Sequence, residues 1–153
     1  YTKWFKNIMN ILVINGPNLN LLGEREIQIY GTDTLEELMV WLENCPESFD
    51  HKFKFYQSNH EGEIIDFIHD ERHWTHGIII NPAAFSHYSY AIYDALVAVN
   101  IPSIEVHLSD INNREKFRKK SVIKDACIKQ ISGLGKLSYL EAVKYFNEIL
   151  IKG

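Results

Sequence analysis

The chain is short of cysteine, with only Cys45 and Cys127 among 153 residues. The two lie far apart and match no metal-ligand spacing, so they read as two buried thiols in a reducing compartment. Long apolar runs are missing too: none is long enough to span a bilayer. The first ten residues, YTKWFKNIMN, lack the apolar stretch of a secretory signal. A cytoplasmic protein with no membrane contact is therefore expected. Neither sign of charge dominates. Sixteen Lys and Arg against twenty Asp and Glu leave a net charge of −4, which favours neither nucleic acid nor an anionic membrane as a partner. The glycine patterns that bind phosphate are absent as well. No G-x-G-x-x-G follows the first apolar run, and the run of Ser, Thr and Gly that a flavin phosphate needs is not there. Gly133-Leu134-Gly135-Lys136 looks in part like a P-loop. However, Gln130 and Leu137 stand where Gly and Ser or Thr are required, so it reads as a turn. His69 and His73, four apart, have zinc spacing, but at the end of a helix they more simply complement its C-terminus. No metal is expected.

What is present is ordinary globular material, 46% apolar and 24% charged. Short apolar runs alternate with helical patterns. Residues 11–14 (ILVI) read as a strand buried on both faces. Thr34 with Glu37 forms a capping box for a helix whose Leu35, Leu38, Met39 and Leu42 face inward, and Pro46 ends it. Residues 53–57 are a second strand. Gly62 to Trp74 are a second helix, with Ile64, Ile65, Phe67 and Ile68 inward. Residues 77–80 (GIII) are a third strand, stopped by Pro82. Tyr88 to Val99 are a third helix, and 103–107 a fourth strand. The charged segment from Ile111 to Lys120 is a loop or short helix, and 127–132 a fifth strand. Ser138 and Glu141 look like a second capping box, for a last helix that buries Leu140, Val143 and Phe146. The expected fold is α/β. It is a single-domain, three-layer, flavodoxin-like sandwich over 1–153, with a five-stranded parallel sheet in the order 2-1-3-4-5. Residues 1–10 are read as an extension outside the argument.

Open sheets of this kind bind ligands beyond the carboxyl ends of their strands, near the point where strand order reverses. There the chain puts Asn15-Gly16-Pro17-Asn18-Leu19-Asn20, Ser58-Asn59-His60-Glu61-Gly62, Asn81-Pro82-Ala83-Ala84-Phe85-Ser86-His87 and Glu105-Val106-His107-Leu108-Ser109. One polar cluster of this kind could be helix capping alone, but four on one rim suggest a site. The long loop after the first strand adds Arg25 and Tyr30, and a loop of that length inside a compact domain is usually functional.

These stretches, together with Leu21-Leu22-Gly23, Arg25-Glu26, Tyr30-Gly31, Gln57 and Ile80, resemble type II 3-dehydroquinate dehydratase, in order and spacing, from Ile11 to the last helix. The resemblance implies conversion of 3-dehydroquinate to 3-dehydroshikimate through an enolate, as in the shikimate pathway of aromatic amino acid biosynthesis or in quinate breakdown. It also implies no cofactor and a dodecamer built from trimers. It makes Tyr30 the base, aided by Arg25, because a neighbouring cation favours the phenolate of a group that ordinarily titrates near ~10. Asn18 would help hold the enolate, and His107 would protonate the departing hydroxyl. Glu105, two residues earlier on the same face of the strand, would orient the imidazole. Asn81, His87, Asp94, Leu108, Ser109 and Arg118 match substrate-binding positions, with Asp94 reaching a neighbouring subunit's site. Of the basic run Arg114 to Lys120, only Arg118 is assigned to the site. Taken alone, the run reads as a solvated face or a phosphate-contacting patch.

Three positions depart from the pattern that the resemblance leads one to expect: Ile27 for proline, Tyr93 for arginine and Asp110 for asparagine. Ile27 would loosen the lid that carries Arg25 and Tyr30, and Asp110 would add negative charge beside an anion site. A second class stays open, a binding or signalling module on the same fold. A phosphoacceptor domain, though, would want acids where Asn15 and Asn81 stand.

Overall fold

The computed structural model describes residues 8–24 and 26–152, and the side chains through Ile149. Five strands form one parallel sheet: β1 (Asn10–Asn15), β2 (Lys52–Gln57), β3 (Gly77–Asn81), β4 (Ser103–His107) and β5 (Lys129–Ser132), in the order β2-β1-β3-β4-β5. This is the flavodoxin-like order, which reverses between β1 and β3. In register, Asn15 faces Gln57 on one side and Asn81 on the other. Three polar amides thus meet at the carboxyl ends of the central strands.

The helices are α1 (Ile27–Tyr30), α2 (Leu35–Asn44), α3 (Glu61–Asp70), α4 (Tyr90–Val99) and α5 (Leu137–Lys152). Side chains on a strand alternate between faces, and the core divides accordingly. Ile11, Val13, Ile79, Ile104 and Val106 pack with Leu38, Met39 and Leu42 of α2 and Tyr139, Val143 and Phe146 of α5. Leu12, Ile14, Ile78 and Ile80 pack on the other side with Ile64 and Ile68 of α3 and Ile92 and Leu96 of α4. Burial on both faces explains the uninterrupted apolar runs of β1 and β3. The Thr34–Glu37 capping box is formed, the Glu37 N–H donating to Thr34 Oγ1 at 3.1 Å and the Thr34 N–H to Glu37 Oε1 at 3.3 Å.

Several boundaries differ from the sequence expectation. Ser138 does not cap the last helix. Turns through Gly133 and Gly135, both at positive φ, start α5 at Leu137, and Ser138 Oγ instead accepts from the Leu134 N–H at 3.3 Å. Tyr139 and Phe146 are fully buried while Leu140 is only partly so. Helix α3 ends at Asp70 rather than Trp74. The Glu71 side chain turns away to bond Lys54 and Tyr56 on β2, and the Thr75 hydroxyl takes the Glu71 carbonyl. Helix α4 starts at Tyr90 because Ser89 is its cap, its Oγ accepting from the Ile92 N–H at 3.1 Å. Residues 111–120 form two 3₁₀ turns. Of the two thiols, Cys45 is buried and Cys127 only half-buried. No helix among the described residues is long and apolar enough to cross a membrane.

Candidate active site

A cavity of about 130 Å³ opens over the carboxyl ends of β1, β3 and β4. Its walls include Asn18, Tyr30, Asn81, His87, His107, Leu108, Ser109, Arg114 and Arg118. The floor is built from strand ends, and close packing fixes their spacing. The Gly16 N–H donates to the Asn81 carbonyl at 2.8 Å, and a Cβ at Gly16 would lie 2.6 Å from the Pro82 carbonyl oxygen. Glycine is needed there because nothing larger fits.

Asn18 sits just past β1 at φ 69°. Its N–H donates to Asn59 Oδ1 at 2.9 Å, and Gln57 Nε2 donates both to Asn59 Oδ1 and to the Gly16 carbonyl at 3.1 Å. The end of β2 thus holds the turn that presents Asn18. Asn81 is nearly buried, and its Oδ1 accepts from the Ala83 N–H at 3.2 Å. The His87 ring donates from Nδ1 to the Lys120 carbonyl at 2.8 Å, which fixes its tautomer.

At the end of β4, His107 Nε2 lies 2.5 Å from Glu105 Oε2. The Glu105 carboxylate is fully buried, and it also accepts from Ser121 Oγ at 2.8 Å and from Gln130 Nε2 at 3.1 Å. Three donors converge on one carboxylate, so its position is over-determined and His107 meets a fixed acceptor. Ser121 and Gln130 supply two of these donors. Neither is marked by any pattern in the sequence.

Tyr30 ends the single-turn helix α1 and projects over the cavity. Arg114 Nη1 donates to its Oη at 2.5 Å, with the guanidinium 5.6 Å from the ring centroid and Nη2 3.9 Å from Glu26 Oε2. Arg114 is not among the expected site residues, since only Arg118 of the basic run is assigned there. The residue belongs to the cavity, with Ser109 Oγ 3.5 Å away. The one available signal is that Arg114 and Arg118 stand four apart in a run whose other cations, Lys116, Lys119 and Lys120, are all lysines. Arginine is the cation suited to planar, directed hydrogen bonding. Arg118 lines the cavity while its Nε pairs with Glu115 Oε2 at 2.5 Å.

Of the other expected site residues, one falls outside the described residues and one outside the cavity. Arg25 lies outside the described residues. Asp94 is exposed on α4 and does not line the cavity of its own chain. Asp110, whose charge departs from the expected pattern, caps the first 3₁₀ turn. Its carboxylate accepts from the Asn112 N–H at 3.0 Å and from Asn113 Nδ2 at 2.7 Å, so it orders this loop. No group of His, Cys, Asp and Glu among the described residues has the arrangement of a metal site.

The cavity therefore pairs a phenol bonded to a guanidinium with an imidazole bonded to a buried carboxylate, and it is rimmed by two arginines and a second histidine. That set can take a proton on one side, give one on the other, and hold an anionic ligand between. Residues 9–147 match the family model for dehydroquinase class II. The 3-dehydroquinate dehydratase of Caldicellulosiruptor saccharolyticus is 57% identical over 143 residues, covering 92% of this chain and 97% of the relative. That of Bacillus licheniformis is 51% identical over 137 residues, covering 90% and 94%. The crystal structure of type II dehydroquinase from Butyrivibrio crossotus superposes with a TM-score of 0.88 at 50% identity, over 91% of this chain and 97% of that one.

Proposed function

The chain belongs to the class II dehydroquinase family, and on that premise we propose that it removes water from 3-dehydroquinate to give 3-dehydroshikimate, with Tyr30 as base and His107 as acid. The observation that carries the division of roles is the Tyr30–Arg114 hydrogen bond opening onto the same cavity as the His107–Glu105 pair.

The chemistry sets three demands: a base for a weakly acidic proton α to a ketone, a stabiliser for the enolate, and an acid for the departing β-hydroxyl. In the proposed sequence Tyr30 reacts as the phenolate, its oxygen accepting the Arg114 guanidinium N–H at 2.5 Å. It takes the α-proton, and the electron pair moves onto the ketone oxygen to form the enolate. Asn18, at the left-handed turn held by Asn59, supports that charge. The enolate then collapses and breaks the β carbon–oxygen bond, while His107 gives its proton to the leaving hydroxyl, so that water departs. The Tyr30 phenol and the deprotonated His107 exchange protons with water to restore the starting state.

Asn81, His87, Arg118 and the backbone of Leu108 and Ser109 bind the substrate's carboxylate and hydroxyls. Arg25 serves as a second cation for Tyr30. We assign the chain to the cytoplasm and to a homo-oligomer, a dodecamer of trimers. An Asp94 exposed and away from its own cavity suits service to a neighbouring subunit's site.

The test is direct. The purified chain, with no metal or cofactor added, is expected to convert 3-dehydroquinate into a conjugated, ultraviolet-absorbing product. Absence of that product at any enzyme concentration defeats the reading.

A further inference from the structure

We propose that Tyr139, on the last helix and far from the site in sequence, is a positioning residue: its hydroxyl sets which way the Asn81 amide faces, so that Asn81 offers an N–H to the substrate. This rests on the functional reading above.

Tyr139 is completely buried beneath the point where strand order reverses. Its hydroxyl lies between the last residues of β1 and β3, donating to Asn15 Oδ1 at 2.6 Å and accepting from Asn81 Nδ2 at 2.9 Å. The direction of this chain follows from counting protons. A phenol has only one to give. Asn15 Nδ2 faces the Tyr56 carbonyl at 3.5 Å and Met39 Sδ at 3.6 Å, both acceptors only. Asn15 must therefore turn its Oδ1 to Tyr139 and receive the phenol proton. Asn81 then meets a lone pair, and only its NH₂ can answer.

The far end agrees. Asn81 Oδ1 accepts from the N–H of Ala83, a residue held at φ 49°, in the left-handed region that L side chains rarely adopt. One Asn81 N–H is engaged by Tyr139, and the other is the donor left for a ligand in the cavity that Asn81 lines. Burial pushes the Tyr139 hydroxyl well above the usual tyrosine range, a shift that the Asn81 hydrogen bond opposes only in part. The group therefore stays a phenol, suited to fixing an orientation rather than to exchanging protons.

The experiment compares wild type, Tyr139→Phe and Asn15→Ala in steady-state turnover of 3-dehydroquinate, each normalised to folded protein, with inhibition by 3-dehydroshikimate. The first variant removes the lone pair. The second frees the phenol proton to turn toward Asn81. Both are expected to raise KM and the product inhibition constant about fivefold, the size of one neutral hydrogen bond, with kcat changed less than about twofold. In the wild type, one side-chain amide proton of Asn81 should exchange slowly in ¹⁵N NMR, and the other should shift on saturation with 3-dehydroshikimate. Lower melting temperatures with unchanged KM would reduce Tyr139 to a packing role and overturn the inference. If neither variant folds, an Asn81 amide that ignores the product overturns it instead. A wild type that does not turn over 3-dehydroquinate brings down the functional reading and this inference together, which is a different result from an active wild type with indifferent variants.

Discussion

Replacing Arg114 with alanine removes a directed hydrogen bond to the proposed base. The guanidinium donates to Tyr30 Oη at 2.5 Å, and its side chain is only 15% exposed, so water competes poorly for either partner. A hydrogen bond to a charged group contributes about 1.5–3 kcal/mol net. If the interaction is made to the phenolate, the variant loses that amount from the transition state. At roughly 1.4 kcal/mol per tenfold in rate, kcat should fall about tenfold to a hundredfold. Arg114→Lys keeps the charge but not the planar fork, and it should fall in between. The assay is initial-rate absorbance of the conjugated product, with circular dichroism and melting to establish that each variant is folded. The ring stacking at 5.6 Å and the glancing approach to Glu26 at 3.9 Å are peripheral contacts whose loss affects lid stability more than rate. A folded Arg114→Ala enzyme with kcat within about twofold of wild type would refute the reasoning, since a 2.5 Å hydrogen bond to the proposed base would then have no part in the reaction.

Three further outcomes follow from the same geometry. Glu105→Gln keeps the shape but gives the buried site a neutral partner for His107, and it should lower kcat by about tenfold or more while the protein still folds, the loss of a charge-assisted bond. Gly16→Ala drives a methyl to 2.6 Å from the Pro82 carbonyl, and the resulting shift should cost about 1–3 kcal/mol of stability, read as a lower melting temperature. Desolvation, with the charge of Glu105 adding to it, pushes the Cys127 thiol up to about 12. Little thiolate therefore exists at pH 8, and labelling by a thiol reagent should be slow until denaturant is added; fast labelling of the native protein contradicts this.

The fold was legible where burial left a direct trace in residue type. β1 and β3 are uninterrupted apolar runs because both faces are covered, and the Thr34–Glu37 box signals its own hydrogen bonds. Ser138 shows the limit of such signals. The same residue types three apart cap nothing when neighbouring glycines have already started the helix upstream. At the site, residues at strand ends could be placed from strand order alone, because a parallel sheet brings every carboxyl end to one rim. Arg114 could not. Its partner Tyr30 is 84 residues away, and both stand on irregular segments without periodicity. Nor could the Tyr139 network, since a buried tyrosine on an amphipathic helix looks like any other core aromatic until its hydroxyl is found between two asparagines.

The division of labour between the phenol and the imidazole is tested most directly by incubating 3-dehydroquinate in deuterium oxide with His107→Ala and with Tyr30→Phe, and following the substrate's α-proton by NMR. The His107 variant is expected still to exchange that proton for deuterium while releasing little product, because the enolate forms and cannot lose its hydroxyl. The Tyr30 variant should neither exchange nor eliminate. Exchange at the wild-type rate in the Tyr30 variant would contradict the assignment of the base.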